Sequence, residues 1–232
     1  MTPARQRARR GEGAALREEI LTAAADLLAE TGSEEAVSIR AVADRVGVSS
    51  PAIYLHFADK EALLAEVCNQ VFAALDAAME EAAATAEDPM ESLRQRGLAY
   101  VHFALANPEH YRLVTMRRPV DGEGIGPNDA MLAEGAFAHL LEAIQRCQQA
   151  GLMRADEEPF TLGLVLWAAA HGIASLLIAK PGLPWPPVED IITRTIDSIG
   201  CGLVMTSLSP DYQGALGNLS SSLPPGAQSA VR

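Results

Sequence analysis

Cysteine is scarce and scattered in this 232-residue chain. Cys68, Cys147 and Cys201 are odd in number, far apart and never arranged as C-x-x-C, which argues against a disulfide framework or a zinc site and fits a reducing cytoplasm. No apolar run follows the basic N-terminus as it would in a secretory leader. Phe160 to Ala179 is nearly long enough to span a bilayer, but it holds His171, Ser175 and two glycines, stands alone and is bracketed by prolines; a buried interface helix is the better reading, with no membrane partner. No segment alternates with the two-residue period of a strand, and no repeat is visible, so an all-α fold is expected. Positive charge is also short, with 18 Lys and Arg against 30 Asp and Glu and a net charge of −12. That deficit is uneven. Residues 1–60 carry 8 basic against 9 acidic side chains, and the rest of the chain carries 10 against 21, so the acidity belongs to the C-terminal part. Hydrophobic residues make up 49% of the chain, ample for a sizeable core. No cofactor, metal or catalytic constellation is expected from these residues.

The informative stretch runs from Val37 to Lys60. Ser38 can cap a short helix whose Ile39, Val42, Ala43 and Val46 recur at i, i+3, i+4 and i+7, one apolar face at helical spacing. Gly47 can end it with φ > 0, leaving Val48 to plug the corner. Ser49 can cap a second helix with Pro51 in its first turn, and Ile53 and Phe57 point back to the core. Two short helices around a tight glycine turn form a helix-turn-helix, which presents one helix to a DNA major groove. Ala15 to Thr31, with Ile20, Ala23, Ala24, Leu27 and Leu28 on one face, completes a trihelical unit.

The ordered residues Ser38, Val42-Ala43, Gly47-Val48-Ser49, Pro51-Ala52, Ile53-Tyr54, His56-Phe57 and Lys60 resemble the DNA-binding segment of TetR-family transcriptional regulators. The resemblance implies a homodimeric repressor of a near-palindromic DNA operator, released by a small-molecule effector. Ser49, Ser50, Pro51 and Ala52 occupy the base-reading end of the second helix, where short side chains would lean on hydroxyls, methyl contacts and DNA shape. Arg40 is the long-reach candidate for a guanine or a phosphate. Tyr54, His56 and Lys60 are the phosphate anchors that the resemblance implies, and Ser38 can donate to a phosphate as well as cap. Arg5, Arg7, Arg9 and Arg10 form a basic arm ahead of the first helix, placed to reach a minor groove.

Beyond Lys60, Asp59 can cap a linking helix to about Ala86, with Leu63, Leu64, Val67, Val71, Phe72 and Leu75 as its buried stripe. Further helices are expected over Pro89–Ala106, Pro108–Met116, Asn128–Ala150, Glu157–Ala179 and Val188–Ser207, with loops at 118–127 and 181–187. The expected organisation is a flexible arm at 1–14, a DNA-binding domain at 15–60, an effector-binding and dimerisation domain at 61–208, and a poorly ordered tail at 209–232. Trp167, His171 and Gly172 form W-x-x-x-H-G, which resembles the signature of one C-terminal subgroup of the family; the pair Trp167 and His171 can line a pocket or pack an interface. Phe72, Tyr100, Phe103, Tyr111, Phe137, Trp167 and His171 are the candidates for an effector pocket of unknown ligand. Leu164, Ala168, Gly172 and Ser175, with Ile192, Ile196 and Ile199 on the last helix, are the candidates for a four-helix dimer interface. Two rival functions remain: an adaptor whose helix-turn-helix has lost DNA affinity, and an all-α enzyme built on His102, His110 or His171.

Overall fold

A computed structural model of the chain describes residues 12–116 and 135–208, and among these residues the fold is helical with no strand. The expected arm, the loop at 118–127 and the tail at 209–232 fall almost wholly outside the described residues. α1 is Glu12–Thr31, and a single 3-10 turn, Glu34–Ala36, leads to α2, Ile39–Val46, and α3, Ser50–Tyr54. α4 is Lys60–Ala83, α5 Pro89–Ala106, α6 Pro108–Met116, α7 Ala136–Gln149, α8 Pro159–Ala179 and α9 Val188–Leu208.

Local chemistry accounts for the helix ends. The Ser38 hydroxyl accepts from the Ala41 N–H at 3.1 Å, and Gly47 closes α2 at φ 78°, ψ 33°, the left-handed region that favours glycine. Ser49 stands at the N-cap of α3 with extended backbone but makes no side-chain capping bond, so the expected cap is present in position only. The Asp59 carboxylate accepts from Ala62 N–H at 2.7 Å to open α4, and Asp88 does the same for α5 through Met90 and Glu91. α4 stops three residues short of the expected Ala86, and α7 begins at Ala136, after an expected start that lies outside the described residues.

Three apolar clusters form the core. The first packs Ile20, Leu21, Ala24 and Leu28 of α1 against Val42 and Ala43 of α2, Ile53, and the first half of α4. The second gathers Leu75 and Met79 of α4 with Tyr100, Val101, Tyr111, Ala174 and Ile192, and the third joins α5, α7 and α8 around Phe137, Ile144 and Leu162. α4 therefore runs from one cluster into the next. So does α6, whose Leu113 and Val114 pack in the first cluster and Tyr111 in the second. By length and composition two helices among the described residues, α4 and α8, are long and apolar enough to cross a membrane; both are packed against neighbours within the bundle.

Candidate nucleic-acid interface and internal cavity

α2 and α3 hold the helix-turn-helix in place because Val42, Ala43, Ile53 and Phe57 are buried beneath it. Ala43, at 1% exposure, is buried in the first core cluster, so a larger side chain there would have to displace its neighbours. Burying that face turns the remainder outward. Ser38, Arg40, Ser49, Pro51 and Tyr54 are exposed, while Ser50, Ala52 and His56 are half-buried. Arg40 reaches into solvent with only a loose approach to Asp44, at 3.9 Å.

Leu55 is 85% exposed beside Tyr54 at 54%. Sequence reasoning passed over Leu55, although the inward register of Ile53 and Phe57 already required positions 54 and 55 to face out. Lys60 is not a free cation here. Its Nζ donates to the Glu34 carbonyl, closing the first turn of α4 onto the 3-10 turn, and an ammonium retains two further protons for other partners.

The second feature is a partly open cavity of about 770 Å³ lined by residues of α4, α5, α6, α7, α8 and α9. Leu75, Met79, Leu140 and Ala170 form apolar wall, and Phe72, Tyr100, Phe137 and Trp167 also line it. Three expected members do not. Phe103 packs between the first two core clusters, and Tyr111 is fully buried behind Tyr100. His171 lies behind Trp167, with ring centroids 6.1 Å apart.

These side chains make a hydrogen-bonded chain. The Trp167 Nε1–H donates to Tyr100 Oη at 3.1 Å, the two tyrosine oxygens are 3.1 Å apart, Tyr111 Oη is 2.5 Å from His171 Nδ1, and His171 Nε2 is 3.3 Å from Ser175 Oγ. One order of donors satisfies every group: Trp167 to Tyr100, Tyr100 to Tyr111, Tyr111 to Nδ1, and Nε2–H to Ser175. Burial pushes both tyrosine hydroxyls up and holds His171 below the usual histidine range, so its imidazole is neutral near pH 7.

Charge enters the wall on α5. Arg94 donates to Asp197 of α9 at 2.6 Å and to Glu91 at 3.3 Å. Arg96, 4% exposed, directs both terminal nitrogens to Glu80 of α4. Glu80, Asp76 and His139 place donor atoms within 4.8 Å of one another, a spacing able to hold a metal ion; here His139 Nδ1 is 2.9 Å from Asp76 and the Arg96 guanidinium already neutralises Glu80. The sequence reading foresaw no such trio, because its members come from two helices.

The expected interface residues divide. On α8, Leu164 and Ala168 are exposed, Gly172 and Ser175 half-buried, and a Cβ added at Gly172 would meet nothing within 4 Å. On α9 the expectation fails at Ile192, which is buried within the fold, while Ile196 and Ile199 are half-buried. Ile192 is 0% exposed in the second core cluster, Ile196 lies against Gly97 of α5, and Ile196 and Ile199 both line the cavity. The histidines offered for an enzyme have structural partners: His102 lies 3.0 Å from Glu189, His110 3.1 Å from the Ala25 carbonyl, and His171 ends the tyrosine chain.

Residues 20–67 match the family described as "Bacterial regulatory proteins, tetR family", and residues 93–199 match "Tetracyclin repressor-like, C-terminal domain". No curated protein sequence matches the chain. Among solved structures, a protein of unknown function from Rhodococcus sp. RHA1 is 30% identical, with 82% of this chain and 95% of that one covered and a TM-score of 0.71. A TetR-family transcriptional regulator from Pectobacterium atrosepticum is 24% identical over 84% and 97% of the two chains, with a TM-score of 0.63. The fatty acid degradation regulator FadR from Bacillus halodurans, 18% identical over 80% and 98%, shares the fold at a TM-score of 0.67.

Proposed function

The chain belongs to the TetR family of DNA-binding transcription regulators, and from that premise we propose that it is a cytoplasmic, homodimeric repressor that leaves a near-palindromic operator when a small molecule enters its cavity. One observation carries the reading: α4 starts on the outward-facing helix-turn-helix and ends in the cavity wall, where Phe72, Leu75 and Met79 lie. Domain boundaries at residues 15–60 and 61–208 follow from the same reading.

Ser49, Ser50, Pro51 and Ala52 meet base edges, with Leu55 available to a thymine methyl. Tyr54, His56 and Ser38 contact phosphates, and Lys60 joins them with the protons left free by Glu34. Arg40 reads a base or a phosphate. Half-sites recur about every 34–36 Å along one groove face, so two recognition helices related by a two-fold axis are required. The exposed apolar stripe of α8, with Leu164 at 39%, Val165 at 43% and Leu176 at 49% exposure, supplies the contact with a second copy, and Gly172 lets the backbones approach. Trp167 and His171 serve the cavity side of the same helix and not the interface.

Ligand in the cavity reaches the DNA-binding unit by two routes. α4 is continuous with it, and α6 packs on α1, where His110 lies 3.1 Å from the Ala25 carbonyl. A differential affinity of roughly 1–3 kcal/mol between the two arrangements changes operator affinity about 5–150-fold.

The test is a footprint of the purified protein on DNA flanking its own gene, across a salt series. A protected near-palindrome whose affinity falls with salt is expected. Absence of protection there and in a random-sequence selection would overturn the reading in favour of the adaptor.

A further inference from the structure

We infer that Asp76, Glu80 and His139 form a binding site for a divalent cation of the zinc type, which ties α4 to α7. The inference goes beyond the function proposed above and does not rest on it.

Placement comes first. Asp76 and Glu80 are four residues apart on α4, so both carboxylates leave the same face of the helix one turn apart. His139 stands near the start of α7, and α7 packs against α4. The His139 Nδ1 lies 2.9 Å from Asp76 Oδ1 and 3.7 Å from Glu80 Oε1, and all three donor atoms fall within 4.8 Å of one another. Two ligands at about 2.0–2.2 Å from one tetrahedral zinc ion are about 3.4 Å apart. The two imidazole distances bracket that spacing, and the carboxylates are close enough for a side-chain rotation to complete it.

Access follows from exposure. All three side chains are partly exposed, so an ion can reach them from solvent and water can fill the rest of its coordination. Three protein ligands with water in the fourth position are an established zinc arrangement.

Arg96 supplies outer support. Buried at the edge of the cluster, it gives both terminal nitrogens to Glu80. That fork fixes the carboxylate yet leaves it lone pairs, since a carboxylate has about four acceptor sites, and ligating carboxylates are commonly held by such hydrogen bonds. The guanidinium balances one of the two carboxylates. With an uncharged imidazole the cluster is one positive charge short, and a dication supplies it.

The donor set selects the ion. One imidazole nitrogen beside two carboxylate oxygens suits zinc and its neighbours in the first transition row, whereas magnesium and calcium favour sets made of oxygen alone. An ionised carboxylate only accepts, so the His139 Nδ1–H now donates to Asp76. On binding, that proton is released and the ion takes its place. Met79 and Leu140, next in the chain to Glu80 and His139, line the cavity, so an ion clamping α4 to α7 also holds that part of the wall.

The experiment titrates zinc chloride, and magnesium chloride in parallel, into the full-length, tag-free, chelator-treated protein by calorimetry. One zinc per chain and no magnesium binding are expected, with a rise in the thermal midpoint on zinc addition. Asp76→Asn and His139→Gln should each weaken zinc binding at least about tenfold, whereas Cys201→Ser, which removes the exposed thiol, should leave it unchanged. Cobalt(II) absorption of the natural chain gives a reading that needs no variant: ligand-field bands without a thiolate charge-transfer band are expected. Absence of zinc uptake, uptake that survives both substitutions or is lost with Cys201, or a thiolate band would overturn the assignment. The operator footprint tests the regulator separately, and neither result of the titration stands in for it.

Discussion

Under the proposed function, Tyr54 and Lys60 are each expected to hold a phosphate, and only Lys60 does so with a charge. A cationic contact releases condensed counterions, and the logarithm of affinity falls against the logarithm of salt with a slope of about −0.9 per phosphate neutralised. Lys60→Ala should therefore weaken binding to all sequences alike and flatten that slope by about 1, whereas Arg40→Ala should alter sequence preference if it reads a base. An unchanged slope would assign Lys60 to its Glu34 carbonyl alone. His171 carries a different signature. Burial holds its pKa below the unfolded value, so the unfolded chain binds the extra proton first, and the contribution present above about pH 6.5 is lost as pH falls toward the depressed value. Thermal melts over that window should decline more steeply for the natural chain than for His171→Gln. Equal slopes would show that the imidazole does not resist charging. Gly47 is the backbone counterpart: a Cβ there meets nothing within 4 Å, yet φ is +78°. Gly47→Ala should cost about 1–2 kcal/mol by denaturant titration through conformation alone, and Gly47→Asn less.

Elements whose ends are set by their own residues were legible in the sequence. α2 and its turn follow from a cap, a 3.6-residue apolar period and one glycine, all within the sequence neighbourhood, and α5 and α6 begin at prolines placed in their first turns. Periodicity does not say who covers an apolar face. α9 presents isoleucines at 191, 192, 196 and 199, and nothing local distinguishes a partner subunit from α5; in the fold Ile192 is fully buried and Ile196 lies against Gly97. The tyrosine chain was hidden for a related reason, since Tyr111 and His171 lie 60 positions apart, and Lys60 finds Glu34 only when α4 folds back on the 3-10 turn. α8 retains its outward stripe, which yields a test at this scale. Gly172→Leu adds a side chain where the subunit itself leaves room, so sedimentation should report a folded monomer. A persistent dimer would move the interface away from α8.

At the scale of the whole molecule the first two of the three apolar clusters are joined by α4 and α6 and by no strand or disulfide among the described residues. Ligand occupancy should accordingly raise the thermal midpoint and lower operator affinity together, the two effects being linked through one equilibrium; a probe that stabilises the protein without changing DNA affinity would separate the cavity from the DNA-binding unit. The geometry of α4 sets the gain of that equilibrium. From Leu75 on the cavity wall to Lys60 beside the recognition unit, the helix rises about 22 Å at 1.5 Å per residue. Pivoting by about 5° at the wall carries the far end through about 2 Å, and in a two-fold pair the separation of the reading heads changes by up to about 4 Å. Against a groove repeat of about 34–36 Å, that is a large error in register obtained from a small change in angle: under the proposed function the helix would be a lever whose short arm is the ligand and whose long arm is measured by DNA.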